Sequence, residues 1–160
     1  MWDSSIFVFH VPHFESRYLI HLYSILDIIW LVAKLSSRTI FVEEDDIATY
    51  TIRTIDDPRT LNKTVYIRPP ANILSQREIV EIWEKLIGKQ LVKTSLSEQE
   101  FLDSIKEKGY ADQAGMTHFY HFFYEGCLAN FEIGDDAEEA CTLYPDVEYI
   151  KVEDYLKQYL

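Results

Sequence analysis

The segment IRPPANILSQREIVEIWEKLIG, residues 67–88, contains the clearest folding signals in the chain. Ser75 and Glu78 have the spacing of a capping box, in which the two residues satisfy backbone N–H groups at the start of a helix. Apolar residues then recur at intervals of three and four, and Gly88 supplies a stop. Two prolines end the extended run that precedes the box. The segment therefore predicts a strand, a turn and an amphipathic helix, in that order.

A regular alternation of extended runs and capped amphipathic segments continues on both sides of this segment. The acidic group 43–46 supplies a cap and favourable charge for an upstream helix, which must stop before Asp57-Pro58. Ser97 and Glu100 form a second capping box. This alternation predicts the α/β class. Strands are predicted over 38–42, 63–68, 91–96, 130–133 and 149–152, and helices over 43–56, 75–88, 97–109, 116–124, 136–143 and 153–159.

Composition limits the classes of partner. The 160 residues fit one domain, and a hydrophobic content of 48% is ample for a packed core. Fifteen basic against 27 acidic residues give a net charge of -12, which repels phosphate backbones and argues against nucleic acid as a partner. Cys127 and Cys141 fit neither a disulfide framework nor a metal knuckle. We therefore expect a reducing, cytoplasmic location.

Residues 1–37 differ in character from the rest of the chain, and the boundary lies near Ser36-Ser37. The run 18–35 is long and apolar enough to suggest a membrane span, but Asp27 near its middle argues against one. No basic n-region or small-residue cleavage site supports a signal peptide. We interpret 1–37 as a separate, apolar and helical segment, and 38–160 as the folded region.

Three strings carry a family resemblance, in consistent order along the chain. They are EEDDIATYTIRTIDDPRTLNKTVYIRPPANILSQREIVEIWEKLIGK at 43–89, NFEIG at 130–134 and LYPDVEYIKVEDYL at 143–156. Together they resemble the isoflavone reductase-like group of the NmrA-like atypical short-chain dehydrogenases. That group includes pinoresinol–lariciresinol, phenylcoumaran benzylic ether and isoflavone reductases. The resemblance begins near residue 39 and runs to the end, whereas 1–38 show no match.

Within that group, the tract THFYHFFYEGCLANFEIG at 117–134 is most similar to the plant lignan reductases, the pinoresinol–lariciresinol branch. His118 falls at the histidine of that branch, whereas the other reductases carry a histidine two places later, where this chain has Tyr120. The resemblance implies that His118 contacts a substrate oxygen, because a neutral imidazole both donates and accepts hydrogen bonds. Phe119 adjoins His118 and is assigned to the substrate pocket with it. The alternative is that both residues simply belong to the core.

The resemblance implies NADPH-dependent reduction of a benzylic ether in a lignan, by a Rossmann-type enzyme of which this chain is the C-terminal, substrate-side part. In the family, a lysine general base and a glycine-rich phosphate turn lie in the N-terminal half. The five glycines here include no closely spaced set at a strand-to-helix turn. We therefore assign no catalytic and no cofactor-binding residue, and expect neither NADPH binding nor turnover by the chain alone.

Three alternatives remain open at the level of the whole chain. The first is a non-catalytic binding or interaction protein that keeps the substrate pocket. The second is a relative of the phenylcoumaran benzylic ether or isoflavone reductases. The third is a mis-assembled gene model whose start replaces the cofactor half. In the family, substrate-side elements pack on the Rossmann half. An isolated substrate side would expose apolar surface, so we expect self-association or pairing with a full-length reductase.

Other chemical patterns are weaker. His118, His121 and Glu125 share one helical face, but spacing alone is a poor sign of zinc, and we assign no metal site. Phe122, Phe123 and Tyr124 are further candidates for a pocket that takes flat aryl rings, with Phe123 more typical of core. The acidic group 43–46 is interpreted as a solvated helix start.

Overall fold

The computed structural model describes residues 6–7, 28–32, 37–129 and 131–160, and these form an α/β fold as the alternation predicts. The strands are β1 (Ile6–Phe7), β2 (Ile28–Val32), β3 (Arg38–Ile40), β4 (Thr64–Tyr66), β5 (Ile73–Ser75), β6 (Val92–Leu96) and β7 (Ala137–Glu139). The α-helices are α1 (Glu44–Ile55), α2 (Gln76–Ile87), α3 (Glu98–Lys106), α4 (Tyr110–Phe119), α5 (Ala140–Leu143) and α6 (Val152–Leu156). A π-helix, Tyr120–Glu125, follows α4, and short 3-10 helices lie at Pro58–Thr60, Pro70–Asn72 and Lys157–Tyr159.

The described strands pair into three small sheets. In the first, β4 lies between β1 and β7 and is parallel to both. In the second, β2 is parallel to β6 over five residues of each strand. In the third, β3 is antiparallel to β5. Each pairing joins segments that are distant in the chain, so the sheets tie the α-helical stretches into one tertiary structure.

The two predicted capping boxes are confirmed. The Ser75 hydroxyl accepts from the Glu78 N–H, and the Glu78 carboxylate accepts from the Ser75 N–H at 2.8 Å. Ser97 and Glu100 repeat this exchange at the start of α3. Gly88 ends α2 with φ 67°, in the left-handed region that a residue without Cβ adopts at no steric cost. These local interactions explain why the helix starts could be located from sequence.

The core lies in three clusters. The largest packs α1 on β3 and β4, and the second joins α2 to α6 through Trp83 and Leu156. The third lies between α3 and α4 and is centred on Phe101 and Ile105. The buried hydrophobic residues of the largest cluster are Ile40, Val42, Tyr50, Val65, Ile67, Ala140 and Tyr144.

One predicted helix is partly wrong. Residues 137–139 lie within the helix expected over 136–143, but they form β7 alongside β4, and only Ala140–Leu143 are helical. Glu138 forms a salt bridge with Lys63, which precedes β4. Glu139 forms a salt bridge with Arg68, which follows β4. Pairing of the backbone with a strand more than 70 residues away has overridden helix propensity here.

The strand predicted over 149–152 is also wrong, because side chains bind the backbone groups that a sheet would use. The Ile150 N–H donates to Asp46 at 2.9 Å, and the Ile150 carbonyl accepts from Asn72 Nδ2 at 2.8 Å. The Val152 N–H donates to Asn72 Oδ1 at 3.0 Å. With these groups satisfied, residues 149–151 pair with no strand, and α6 begins at Val152. The strand predicted over 130–133 is absent at 131–133, and Asn130 lies outside the described residues.

The helical interpretation of residues 1–37 fails where the structure describes this segment. Residues 28–32 form β2 because their backbone pairs with β6, and residues 6–7 form β1 beside β4. Residues 1–5, 8–27 and 33–36 lie outside the described residues, so the division at residue 37 stays a prediction. Among the parts of the chain that are described, none of the helices combines the length and apolar character of a membrane span.

Candidate functional site

The aromatic tract of the sequence continues helix α4 into the π-helix, and His118 lies just before the change. A helix is predicted over 116–124 and is confirmed, although it begins earlier, at Tyr110. The π-helix ends at Gly126, whose φ is 69° and whose N–H donates to the His121 carbonyl. Single π-helical turns occur frequently at functional sites, because they change which side chains share a face.

The rings of the tract divide between an outer and an inner face. On the outer face, His118 is exposed and stacks on half-buried Phe122, with 6.0 Å between ring centroids and 21° between planes. On the inner face, Phe119 contacts Phe123 at 5.7 Å. Phe123 is 3% exposed and reaches Phe41, which follows β3, at 6.3 Å. Burial of Phe123 confirms the interpretation of this residue as core.

Phe119, assigned to the substrate pocket from sequence, is half-buried and packs against the cluster of Phe101 and Ile105. His118 and Phe119 are consecutive, so the helix directs them to different faces. The structure therefore brings His118 together with Phe122, and Phe119 together with core residues. Whether Phe119 contacts substrate stays a prediction.

Two stacked tyrosines fix the π-helix to the start of α3. The rings of Tyr120 and Tyr124 lie 5.1 Å apart with 9° between their planes. Both hydroxyls donate to the Glu98 carboxylate, at 2.6 Å from Tyr120 and 2.8 Å from Tyr124. We call these three residues the tyrosine clamp. Donation to Glu98 raises the pKa of Tyr120 to about 12 and also raises the pKa of Tyr124.

The tyrosine clamp gives a direct prediction. Replacing Glu98 by glutamine removes the negative charge that holds both hydroxyl protons, so the pKa of Tyr120 should fall from about 12 towards its ordinary value of 10. The difference in tyrosinate ultraviolet absorbance between variant and parent, followed against pH, measures this change. Glu107→Gln removes an exposed carboxylate at the other end of α3 and is the matched control. Identical titrations of Glu98→Gln and its parent would show that the clamp does not form in solution.

The end of the π-helix is also held against the start of β3. The Ser37 hydroxyl donates to the Tyr124 carbonyl at 3.1 Å. A Cβ added at Gly126 would lie 3.5 Å from the Ser37 Cβ, which is an ordinary van der Waals distance, so the backbone at Gly126 lies close to the Ser37 side chain. The outer face that carries His118 is thus supported from two sides, by α3 and by β3.

The weaker sequence patterns acquire structural roles. His121 Nδ1 pairs with Glu125 Oε2 at 2.5 Å, whereas the His118 ring faces Phe122, so the three suggested zinc ligands are not brought to one point. No group of three histidine, cysteine, aspartate or glutamate side chains suited to a metal is found within residues 6–7, 28–32, 37–129 and 131–160. Both cysteines are free thiols.

The acidic group 43–46 is only partly a solvated helix start. Glu43 caps α1 and accepts from the Asp45 N–H at 2.7 Å, as the sequence predicts. Asp46 instead is 6% exposed, and burial raises the pKa of its carboxyl although the hydrogen bond from Ile150 lowers it. Its role is to hold the segment before α6, and the sequence carries no local sign of that contact.

Sequence reasoning missed one residue and underrated another. Glu98 lies 22 residues from Tyr120, so only the tertiary structure pairs them. Phe122 is four residues after His118, a spacing that predicts stacking on one helical face. Chemically, the outer face offers an imidazole for a substrate oxygen and an aromatic ring for an apolar group.

Comparisons with known proteins place these observations in a family context. The model of the NmrA-like family matches residues 31–156. A bifunctional pinoresinol-lariciresinol reductase of Sinopodophyllum hexandrum is 66% identical over 123 residues, which are 77% of this chain and 39% of that protein. A bifunctional pinoresinol-lariciresinol reductase 2 of Linum usitatissimum is 63% identical over 125 residues, 78% of this chain and 38% of that protein.

Solved structures agree with this likeness. The structure described as AtPrR2 with NADP+ and (+)pinoresinol superimposes with a TM-score of 0.74 at 52% identity, and covers 82% of this chain and 42% of that one. The chain thus spans about two fifths of the length of the relatives it matches. The matched region includes the aromatic tract and the tyrosine clamp, since both lie within residues 31–156.

Proposed function

The chain belongs to the NmrA-like family, and from that premise we propose that residues 38–160 form the substrate side of an NADPH-dependent lignan reductase. The reaction would reduce a benzylic ether of pinoresinol or lariciresinol. The observation that carries the proposal is the identity of more than 60% to pinoresinol-lariciresinol reductases over most of this chain. Because the chain spans only part of those proteins, their activity is extended to it as a hypothesis.

The geometry of the outer face supports a role in substrate binding. Exposed His118 is positioned to hydrogen-bond a phenolic or alkoxide oxygen, and its neighbour Phe122 is apolar and flat. The tyrosine clamp and Ser37 hold this face in place before any ligand arrives. A face that is already ordered loses less conformational entropy when a ligand binds, so its contacts give a higher affinity.

The residues that the structure describes do not fit the pyrophosphate of NADPH. Gly88 and Gly126 follow helices, Gly109 begins α4, and Gly115 lies inside that helix. Gly134 lies in an irregular segment that leads into a strand, β7. A phosphate cradle requires closely spaced glycines between a strand and a following helix, so these positions supply none. We propose that the chain alone binds a lignan without binding NADPH and performs no reduction. We also propose a cytoplasmic location.

The test is a calorimetric titration of the purified chain with (+)-pinoresinol and, separately, with NADPH, followed by product analysis of the mixture. We expect lignan binding, no NADPH binding and no reduced product. Product formation would overturn the proposal that the chain lacks a cofactor site. Absence of lignan binding would overturn the substrate-side assignment itself.

A histidine variant locates the binding face. His118→Ala should weaken pinoresinol binding by about tenfold, the loss expected for one hydrogen bond to a ligand oxygen. His121→Ala removes a second imidazole from the same tract, one that is paired with Glu125, and is the matched control. Equal affinities of His118→Ala and the parent chain would contradict the role of His118.

The second candidate is a binding or interaction protein of a different class, which keeps the face without supporting catalysis in any assembly. Mixing the chain with a full-length lignan reductase separates the two candidates. Formation of a mixed complex whose turnover is unchanged would favour an interaction role. Light scattering from the chain alone measures self-association, which we also propose, because exposed Ile52, Ile55 and Leu160 are large and apolar.

A further inference from the structure

The rings of the aromatic tract differ in the contacts that they make. Phe123 is 3% exposed and is enclosed by Phe41 and Phe119. Tyr120 and Tyr124 stack on each other, and Glu98 holds their hydroxyls. These rings thus pack in the core or form the tyrosine clamp, and their removal would weaken the support of the outer face.

Phe122 is placed differently. Its ring contacts His118 at 6.0 Å and remains half-buried. The angle of 21° makes the two rings nearly parallel, and both rings belong to the outer face. An aryl ring that binds beside the His118 imidazole is therefore close to the apolar ring of Phe122. Aromatic pairs gain from offset-stacked or edge-to-face contact beyond the area that they bury.

We propose that Phe122 is the specificity-determining residue beside His118, and that it contacts an aryl ring of the substrate while Phe119 packs beneath. This inference deepens the proposed function and rests on it. His118 alone selects for an oxygen, which many metabolites carry. The addition of Phe122 selects for an oxygen attached to, or close to, an aromatic ring, which is the arrangement in a phenolic lignan.

The change from α-helix to π-helix at residue 120 explains how the sequence achieves this placement. In a π-helix, hydrogen bonds run from residue i to i+5, so each residue turns less about the axis than in an α-helix. Tyr120 and Tyr124 are locked to Glu98 within this turn, which fixes its rotation. Phe122 lies between the two tyrosines in sequence, and the same lock therefore sets its direction.

The experiment compares three variants of the full chain by calorimetric titration with (+)-pinoresinol. Phe122→Leu keeps an apolar side chain but removes the ring, and should weaken affinity by about five- to tenfold. Phe122→Tyr keeps the ring and should remain within about twofold of the parent. Phe101→Leu, which removes a ring that is 3% exposed in the core, should lower the midpoint of thermal unfolding but bind pinoresinol with an affinity close to that of the parent.

A second measurement separates failure of this inference from failure of the proposed function. Nuclear Overhauser contacts between 2-methoxyphenol, a single substituted aryl ring, and the Phe122 ring are expected even if the parent chain does not bind pinoresinol. In that case the proposed function fails while the aryl-contacting role of Phe122 stands. Two results overturn the inference: contacts of this probe with Phe119 but not Phe122, or pinoresinol affinity that Phe122→Leu leaves unchanged.

Discussion

Replacing Asn72 by leucine is expected to lower the free energy of unfolding by about 3 kcal/mol, since two backbone groups lose their partners. Asn72 is 2% exposed and bonds the Ile150 carbonyl and the Val152 N–H with its two amide atoms. Leucine branches at the same carbon but is larger, and it neither donates nor accepts. Chemical denaturation followed by circular dichroism measures the change.

The matched control is Asn62→Gly. Asn62 is exposed and has φ 59°, a conformation in which glycine causes no strain, so its amide can be removed at small cost. We expect a change within about 0.5 kcal/mol. If Asn72→Leu and Asn62→Gly unfolded at the same denaturant concentration, the segment before α6 would not depend on Asn72.

Replacing Glu84 by glutamine should cost about 2 kcal/mol at neutral pH, because it leaves Lys93 without its partner charge. Glu84 is 4% exposed, and one of its carboxylate oxygens accepts from Lys93 Nζ at 2.5 Å and from the Leu91 N–H at 2.6 Å. These bonds join the end of α2 to the start of β6. In the variant, the end of α2 and the start of β6 should be held together less tightly.

The loss of free energy of unfolding caused by Glu84→Gln depends on pH. Burial raises the pKa of the Glu84 carboxyl, but the bonds from Lys93 and Leu91 outweigh burial, and its pKa lies below the ordinary 4.5. A carboxyl whose pKa is lower in the folded state stabilises the fold above its unfolded pKa and loses that contribution as pH falls through its folded pKa. The parent chain and Glu84→Gln should therefore approach the same free energy of unfolding in acid.

Glu81→Gln is the control for both effects, since Glu81 lies on α2 but is exposed. Its free energy of unfolding should follow that of the parent at every pH. An advantage of the parent over Glu84→Gln that persisted unchanged into strong acid would contradict the ion pair with Lys93. Denaturant unfolding at a series of pH values gives all three curves.

Features fixed by neighbouring residues were predictable from sequence. The capping boxes at Ser75 and Ser97, and the stop at Gly88, depend on contacts within four residues, and each appears as expected. The α/β class and the family also follow from sequence, because they depend on patterns repeated along the chain. Helical character in the aromatic tract and burial of Phe123 belong to the same group.

The remaining features depend on partners that are remote in the chain. Residues 137–139 are a strand because β4 lies beside them, and 149–151 form no strand because Asn72 and Asp46 bind the backbone of Ile150. Asp46 and Ile150 are 104 residues apart, a contact that no local pattern specifies.

The candidate site divides in the same way. The sequence by itself determined that an aromatic helix would carry His118, because residue type and helical periodicity are local properties. Only the tertiary structure decided that Phe119 turns to the core and Phe122 to the outer face, since Glu98, Phe101 and Phe41 set that rotation from other elements. A helix fixes the spacing of its side chains, but the direction they face is decided by what packs against it.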